Sequence, residues 1–324
     1  MVPDPSDRRA DEPRAEAQEL LDALEEAAPP DLPTLSAEQG RALLGGLFTP
    51  DVDPVSVAEV EEKKIRAYAR DIRVRTYNPE PGGQLPAVVY FHGGGWVAGN
   101  LDTHDSVARS LANESNAVVV SVDYRKAPEH PFPAAVEDAY EATKWVESHA
   151  EELGAGGGLA VAGESAGGTL ATVVAQMANE KAVGAPEIDH QLLFYPVTNH
   201  SYETPSYEQN HDGYFLTRRA MVWFWSHYLR DDIDGANVRA SPLRGRLDGL
   251  PPATVFTAGF DPLRDDGFQY VAALEEAGVD VSHTNYEGII HDFANMHDLD
   301  GFPGLTEASS EVLEEGSAAL RDTF

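Results

Sequence analysis

Cysteine is absent from the 324 residues of this sequence, which excludes disulfide bonds, thiolate nucleophiles and zinc sites built from cysteine. Long apolar runs are absent as well, since no stretch approaches the roughly 18 apolar residues that are needed to span a bilayer. The acidic, proline-bearing N-terminus lacks the apolar segment of a secretory signal. We therefore expect a soluble, cytoplasmic protein that does not enter membranes.

Positive charge is also scarce. The chain has 23 Lys+Arg against 55 Asp+Glu, which gives a formal net charge of -32. The acidic residues are spread over the whole length, so the negative field surrounds the molecule and does not mark one acidic tail. A field of this sign repels nucleic acid and anionic membranes, and we expect neither as a partner.

The charge leads to a hypothesis about salt. Self-repulsion opposes compaction at low ionic strength, and molar salt screens it. We therefore interpret the chain as a protein of an extreme halophile, whose acidic surface keeps the folded molecule hydrated. The alternative is an acidic protein adapted to ordinary salt.

Motifs for metals and cofactors are missing too. The sequence contains no HExxH pattern, no cysteine and histidine ligand spacing, and no GxGxxG that follows a strand. We expect no metal ion and no cofactor.

What remains is a regular alternation of strand and helix patterns. Short apolar runs predict strands at 87–91, 117–122, 159–162, 191–195, 253–258 and 279–286. Amphipathic or small-residue patterns predict helices at 134–149, 166–179, 265–277 and 306–320. Such alternation predicts an α/β fold with a doubly wound, mainly parallel sheet, and the length fits one large domain. Residues 71–77 alternate with period two, which predicts an edge strand.

Two segments lie outside this alternation and predict a helical cap. Residues 15–47 form two amphipathic patterns separated by a proline-rich breaker, and residues 198–239 contain an aromatic helix pattern at 217–229. Residues 1 to about 13 are expected to be disordered. The predicted division is 1–60 N-terminal cap helices, 61–197 first part of the core, 198–239 cap insertion and 240–324 second part of the core.

The stretch Gly163-Glu164-Ser165-Ala166-Gly167 lies between a predicted strand and a predicted helix. A Gly-x-Ser-x-Gly pattern in that place allows a sharp turn that lifts the serine hydroxyl clear of the sheet. Upstream, three consecutive glycines in His92-Gly93-Gly94-Gly95-Trp96 follow the strand at 87–91. Unobstructed backbone there suits an oxyanion hole, which needs N–H groups aimed at the oxygen that becomes charged.

A serine nucleophile needs a base and a group that orients the base. Asp261 follows the strand at 253–258 and His291 follows the strand at 279–286, so the order Ser165, Asp261, His291 is that of an α/β-hydrolase. Other candidates are nearby: Asp265 and Asp266 for the acid, and His283 and His297 for the base. We expect helix capping for Asp265 and ordinary polar roles for the two histidines.

At this point the chain closely resembles the hormone-sensitive lipase family of α/β-hydrolases, over roughly residues 60–320. The matching motifs are FHGGGWVAGNLDTHD (91–105), VVVSVDYRKAPEHPFPAAVEDAY (118–140), AVAGESAGGTLA (160–171), GYFLTRRAMVWFWSHYL (213–229), GFDPLRDDG (259–267) and HDF (291–293).

The resemblance implies Ser165 as nucleophile, His291 as general base and then acid, and Asp261 as the orienting residue. It also implies that the oxyanion hole is formed by the backbone N–H groups of Gly94, Gly95 and Ala166. The sequence departs from the family at two places: Glu164 stands where Asp is usual, and Asp292 stands where Gly is common. His92 is expected to organise its loop.

The reaction expected from these residues is hydrolysis of short to medium acyl esters through an acyl-enzyme, by a monomer or homodimer. Phe215 and Trp223 are candidates for an acyl pocket, and the alternative is that the cap aromatics pack the cap onto the core. Two other functions remain open on the same fold: a small-molecule receptor with an incomplete triad, and an amidase or lyase.

Overall fold

One mixed sheet forms the centre of the fold in the computed structural model, which describes residues 8–49, 54–67 and 70–324. The strands are β1 Glu59–Ala67, β2 Arg70–Asn78, β3 Leu85–Phe91, β4 Val118–Asp123, β5 Ala155–Glu164, β6 His190–Phe194, β7 Ala253–Phe260 and β8 Val281–Ile290. Their spatial order is β1-β2-β4-β3-β5-β6-β7-β8. The pairs β1–β2 and β2–β4 are antiparallel and the other neighbours are parallel. The predicted mainly parallel α/β sheet is therefore confirmed.

Helices pack on both faces of this sheet. They are α1 Ala15–Ala27, α2 Ala37–Leu47, α3 Asp105–Ser115, α4 Ala134–Ser148, α5 Ala166–Asn179, α6 Pro205–Gln209, α7 Arg218–Tyr228, α8 Arg264–Glu276 and α9 Thr306–Thr323. Along β3, Val89 and Phe91 belong to the core cluster that contains α4, α5 and α8, whereas Val88 and Tyr90 belong to the cluster that contains α3 and α9. Strand β3 is apolar without interruption because both of its faces are covered.

The edge of the sheet differs from the prediction. The segment 71–77 lies in β2, which pairs with β1 on one side and with β4 on the other. The edge strand on this side of the sheet is β1, whose sequence EVEEKKIRA is charged and mostly exposed. An edge strand that needs little apolar contact gives only a weak periodic signal, which is why the pattern did not reveal it.

The N-terminal segment is also better fixed than expected. Residues 1–7 lie outside the described residues, but from residue 8 onward the chain packs on the core. The Arg8 guanidinium lies 2.9 Å from the Asp265 carboxylate, and the Ala10 N–H donates to the Glu287 carbonyl at 3.0 Å. The expectation of disorder up to residue 13 is therefore wrong for residues 8–13.

Helices α1 and α2 and the inserted segment 198–239 lie over the same end of the core, where they line one cavity together with Ser165 and His291. The N-terminal part of the cap contacts the inserted segment, since the Trp223 indole N–H donates to the carbonyl of Leu35, which lies between α1 and α2, at 3.1 Å. In the part of the chain that the structure describes, no helix combines the length and the apolarity that crossing a membrane requires.

Candidate active site

Ser165 occupies a strained turn between β5 and α5. Its backbone has φ 50° and ψ -118°, a conformation that L-residues rarely adopt. The flanking glycines are needed by contact: a Cβ atom on Gly167 would lie 1.9 Å from the Phe91 carbonyl oxygen, and one on Gly163 would lie 2.3 Å from the Gly167 carbonyl oxygen. The pattern therefore reflects close packing of the turn, which presents the hydroxyl at the start of a helix.

Three predicted side chains form one connected chain at this turn. His291 Nε2 lies 3.0 Å from Ser165 Oγ, and His291 Nδ1 lies 2.7 Å from Asp261 Oδ2. The other Asp261 oxygen accepts the Leu263 N–H at 2.7 Å, which fixes the carboxylate. This geometry allows His291 to take a proton from the serine while Asp261 holds the ring in the required orientation.

The surroundings of His291 raise its pKa. Burial alone lowers it, but the charge and hydrogen bond of Asp261, with smaller contributions from Asp292 and Glu164, outweigh burial and raise the pKa of His291 overall. The imidazolium that forms during proton transfer is thereby stabilised by the carboxylates around it.

The loop after β3 provides free backbone donors. Gly94 and Gly95 line the cavity with φ 100° and 58°, which favours glycine at both positions. A Cβ atom on Gly95 would lie 2.1 Å from the ring of Phe224. Within residues 8–49, 54–67 and 70–324, no group accepts the N–H of Gly94, Gly95 or Ala166. These groups can therefore bind a developing oxyanion.

His92 organises this loop from behind, as expected. Its ring is fully buried, donates from Nδ1 to the Gly93 carbonyl at 2.7 Å and stacks on Tyr124 at a centroid distance of 4.3 Å. Burial lowers the pKa of His92 well below its ordinary value.

A cavity of about 1090 Å³ opens onto Ser165 and His291. Phe215 lies in its wall, whereas Trp223 is not among the lining residues in the described part of the chain. Trp223 packs between the two cap segments, which is the packing alternative that the sequence left open. Its neighbour Phe224 faces the cavity instead. Adjacent positions on a helix differ by about 100° in direction, and the sequence alone did not fix which aromatic faces inward.

Glu164 is the centre of a buried polar network. Its carboxylate accepts the Tyr90 hydroxyl at 2.5 Å and the Tyr195 hydroxyl at 2.8 Å, and it lies 3.0 Å from His104 Nε2. The Tyr195 oxygen in turn accepts the Ala294 N–H at 3.2 Å. Burial raises the pKa of Glu164, but His104 and the two tyrosines outweigh burial and lower it overall. The network connects β3, the serine turn and the loop after His291.

Sequence reasoning missed Tyr90, Tyr195 and His104. The first two are aromatic residues in or after apolar strands, and nothing in the pattern distinguishes their hydroxyls from ordinary core residues. Asn210 was also missed; it lies directly after α6, and its amide donates to the Asp261 carbonyl at 2.9 Å. A carboxylate in an otherwise small and apolar turn was the only available signal of the network.

The other acid and base candidates lie elsewhere. The expectation that Asp265 caps α8 is wrong. Its carboxylate instead contacts the guanidinium groups of Arg8 and Arg264 and accepts the Ser206 N–H at 2.9 Å. Asp266 accepts the Thr198 N–H at 3.1 Å.

Neither of the alternative histidines reaches the serine. His283 Nε2 lies 2.9 Å from Thr257 Oγ1, and His297 Nδ1 lies 2.8 Å from its neighbour Asp298. Within the described ranges, no group of three or more potential ligand side chains could hold a metal ion.

Comparison with known proteins gives the same picture. The family described as the alpha/beta hydrolase fold matches residues 88–295. The carboxylic ester hydrolase LipN of Mycobacterium tuberculosis is 46% identical over 268 residues, which cover 81% of this chain and 71% of LipN. The carboxylesterase NlhH of the same organism is 42% identical over 291 residues, 88% of each chain.

A solved structure agrees in shape over nearly the whole chain. A thermostable esterase from Pseudomonas putida superposes with a TM-score of 0.90 at 40% sequence identity and covers 97% of this chain and 98% of its own. The resemblance drawn from the motifs is thus confirmed for the fold and for the esterase relatives. The chain belongs to the α/β-hydrolase family and is a carboxylic ester hydrolase.

Proposed function

We propose that the protein is a serine carboxylesterase that hydrolyses short to medium acyl esters through an acyl-enzyme. The observation that carries the proposal is the chain of contacts from Ser165 through His291 to Asp261 at the cavity. A ligand receptor on this fold would not need these three groups to be in contact, and the relatives named above are esterases.

The mechanism follows from the geometry. His291 Nε2 takes the proton of Ser165 as the serine oxygen attacks the carbonyl carbon of the ester. The carbonyl oxygen becomes negative and is held by the N–H groups of Gly94, Gly95 and Ala166. His291 then gives its proton to the departing alcohol. A water molecule, deprotonated by the same histidine, attacks the acyl-enzyme and releases the acid.

The proposed substrate size rests on the cavity. Its volume of about 1090 Å³ is slightly above the usual range of small-molecule pockets, roughly 300–1,000 Å³, and has room for esters of short to medium acyl chains. Exposed carboxylates such as Asp22, Asp212 and Asp300 lie in its wall, which opposes entry of a lipid surface. Residues 1–60 and 198–239 act as the cap in this proposal, on a core formed by 61–197 and 240–324, because α1, α2 and the insertion all contribute to the cavity.

We also propose adaptation to high salt, which is supported by the net charge of -32. Salt should raise the melting temperature because it screens repulsion among the carboxylates. The measurement is the melting temperature as a function of KCl concentration. A curve that does not rise from low salt to molar KCl would contradict this part of the proposal.

The experiment that tests the activity is a series of p-nitrophenyl esters of rising chain length, with wild type and Ser165→Ala in low salt and in molar KCl. We expect the highest kcat/KM for short to medium chains and a loss of several orders of magnitude in the variant. A matched p-nitroanilide tests the amidase alternative. Hydrolysis by Ser165→Ala at the wild-type rate would overturn the serine mechanism.

A further inference from the structure

The wall of the cavity carries charge of one sign. Its acidic residues are Asp22, Glu25, Asp31, Asp212, Asp292 and Asp300, and within the described ranges no lysine or arginine lines it. Five of the six are exposed, and of these Asp31 is paired with Arg219 at 2.7 Å. A cleft lined in this way concentrates cations and repels anions.

Asp292 differs from the other five because it is buried. It is only 9% exposed, lies directly after His291 and has φ 72°, a left-handed conformation that Asp and Asn tolerate better than most residues. Its Oδ1 atom is buried and has no hydrogen-bond partner among the described residues. A buried carboxylate without a donor has an uncompensated negative charge, so a ligand that brings a positive charge beside it gains affinity.

The charge state of Asp292 also favours a cationic ligand. Burial and the neighbouring charge of Glu164 raise the pKa of Asp292 to about 6. At about pH 8 the carboxylate is therefore ionised, and it lies beside His291, which would protonate the leaving alcohol. The rings of Phe215 and Phe224 also line the cavity and can face a cation.

We propose that Asp292 makes this enzyme prefer esters that carry a cationic group, a quaternary ammonium or a protonated amine, on the alcohol part. The inference rests on the proposed serine mechanism, because the alcohol leaves on the side of His291 and hence near Asp292. The exposed carboxylates add a long-range attraction that salt removes, whereas the contact with buried Asp292 persists in salt.

The test uses two acetates of nearly the same shape, acetylcholine and its uncharged carbon analogue 3,3-dimethylbutyl acetate. The kcat/KM of each is measured by titration of the released acid at about pH 8, in low salt and in molar KCl. The selectivity is the ratio of the two values. We expect this ratio to be at least about tenfold higher in wild type than in Asp292→Asn, the size of one partly buried ion pair.

The matched control is Asp212→Asn, which removes an exposed carboxylate from the same cavity. Its ratio should fall by less than about twofold in molar KCl, because exposed charges are screened. Asp292→Gly serves as a second variant, since glycine suits the backbone at this position. A further measurement needs no variant: the inhibition constants of choline and of the uncharged 3,3-dimethylbutanol are compared with wild type. Choline should bind about tenfold more tightly.

The failures of the two proposals are distinguishable. If wild type hydrolyses both acetates and the ratio is unchanged in Asp292→Asn and Asp292→Gly, the inference is wrong and the esterase stands. Equal inhibition by choline and its neutral analogue would also overturn it. If wild type hydrolyses neither acetate nor any p-nitrophenyl ester, the proposed function fails, and the inference fails with it.

Discussion

Replacement of Glu164 by glutamine should weaken the fold and shift the pH dependence of the reaction. The carboxylate is fully buried, accepts the hydroxyls of Tyr90 and Tyr195, and lies 3.0 Å from His104. Glutamine has nearly the same shape but carries no charge, and it presents one acceptor and one donor group in place of two acceptors. The substitution thus isolates the role of the charge.

The size of the loss in stability can be worked out from the hydrogen bonds to Glu164. A hydrogen bond to a charged group contributes about 1.5–3 kcal/mol, and the amide keeps one acceptor while its NH₂ can donate to the second tyrosine oxygen. We expect Glu164→Gln to lower the free energy of unfolding by about 1–3 kcal/mol. Glu164→Asp keeps the charge but is one methylene shorter, so it cannot reach all three partners. Its cost should be higher, about 3–5 kcal/mol, as for a broken buried ion pair.

Glu164→Gln should also affect catalysis. The negative charge of Glu164 helps to raise the pKa of His291, so its removal should lower that pKa. Activity requires the neutral histidine and is lost as the pH falls through its pKa. The acid limb of the kcat/KM profile should therefore move to lower pH in Glu164→Gln.

Urea unfolding and the pH profile of p-nitrophenyl acetate hydrolysis, both at one fixed KCl concentration, measure these effects. Glu276→Gln is the control, because Glu276 is exposed on α8. The free energies of unfolding of Glu164→Gln and Glu276→Gln should therefore differ, and so should the acid limbs of their kcat/KM profiles. If the free energies agree within about 0.5 kcal/mol and the acid limbs coincide, the network neither stabilises the fold nor raises the pKa of His291.

Three further substitutions probe the triad, the glycine loop and a buried acid. Asp261→Asn should lower kcat by about 10⁴-fold, because an amide favours the wrong tautomer of His291; kcat measured with p-nitrophenyl acetate checks this. Gly95→Ala should lower kcat/KM by at least about 10²-fold, because its methyl group would overlap the ring of Phe224 and displace a donor of the oxyanion hole. Burial raises the pKa of Asp266 to about 8, so wild type should lose stability as the pH rises from about 4 to about 8, and Asp266→Asn should remove that loss in urea unfolding.

For each of these three predictions, one outcome would contradict the reasoning. A loss below about tenfold in Asp261→Asn would mean that the aspartate does not orient the base. Gly46→Ala is the control for Gly95→Ala, since nothing lies within 4 Å of a Cβ atom there, and an equal effect of the two would contradict the steric argument. If the pH slope of stability is the same in wild type and Asp266→Asn, the carboxyl is not protonated in the folded state.

The sequence predicted those parts of the molecule in which several signals agree. Strand β3, the turn at Ser165 and the positions of Asp261 and His291 combine apolar runs with glycine and polar residues at the ends of strands. Because the carboxyl ends of parallel strands meet at one edge, the order of these elements was sufficient to predict their proximity.

The remaining features depend on contacts that one sequence does not show. Strand β1 is charged and acquires its structure by pairing with β2, so its pattern resembles that of a loop. The orientation of Trp223 and Phe224 depends on the rotation of α7 against Leu35 and Gly95, far away in the chain. The partners of Glu164 come from three separate elements, and only the fold brings them together.

The proposed serine mechanism is tested most directly by covalent labelling of wild type with a fluorophosphonate, followed by mass spectrometry of the digested protein. We expect one label per chain, on Ser165, and no label at that position after Ser165→Ala or after prior inhibition. An active enzyme that takes up no label, or takes it up on a different residue, would contradict the central claim that Ser165 is the nucleophile.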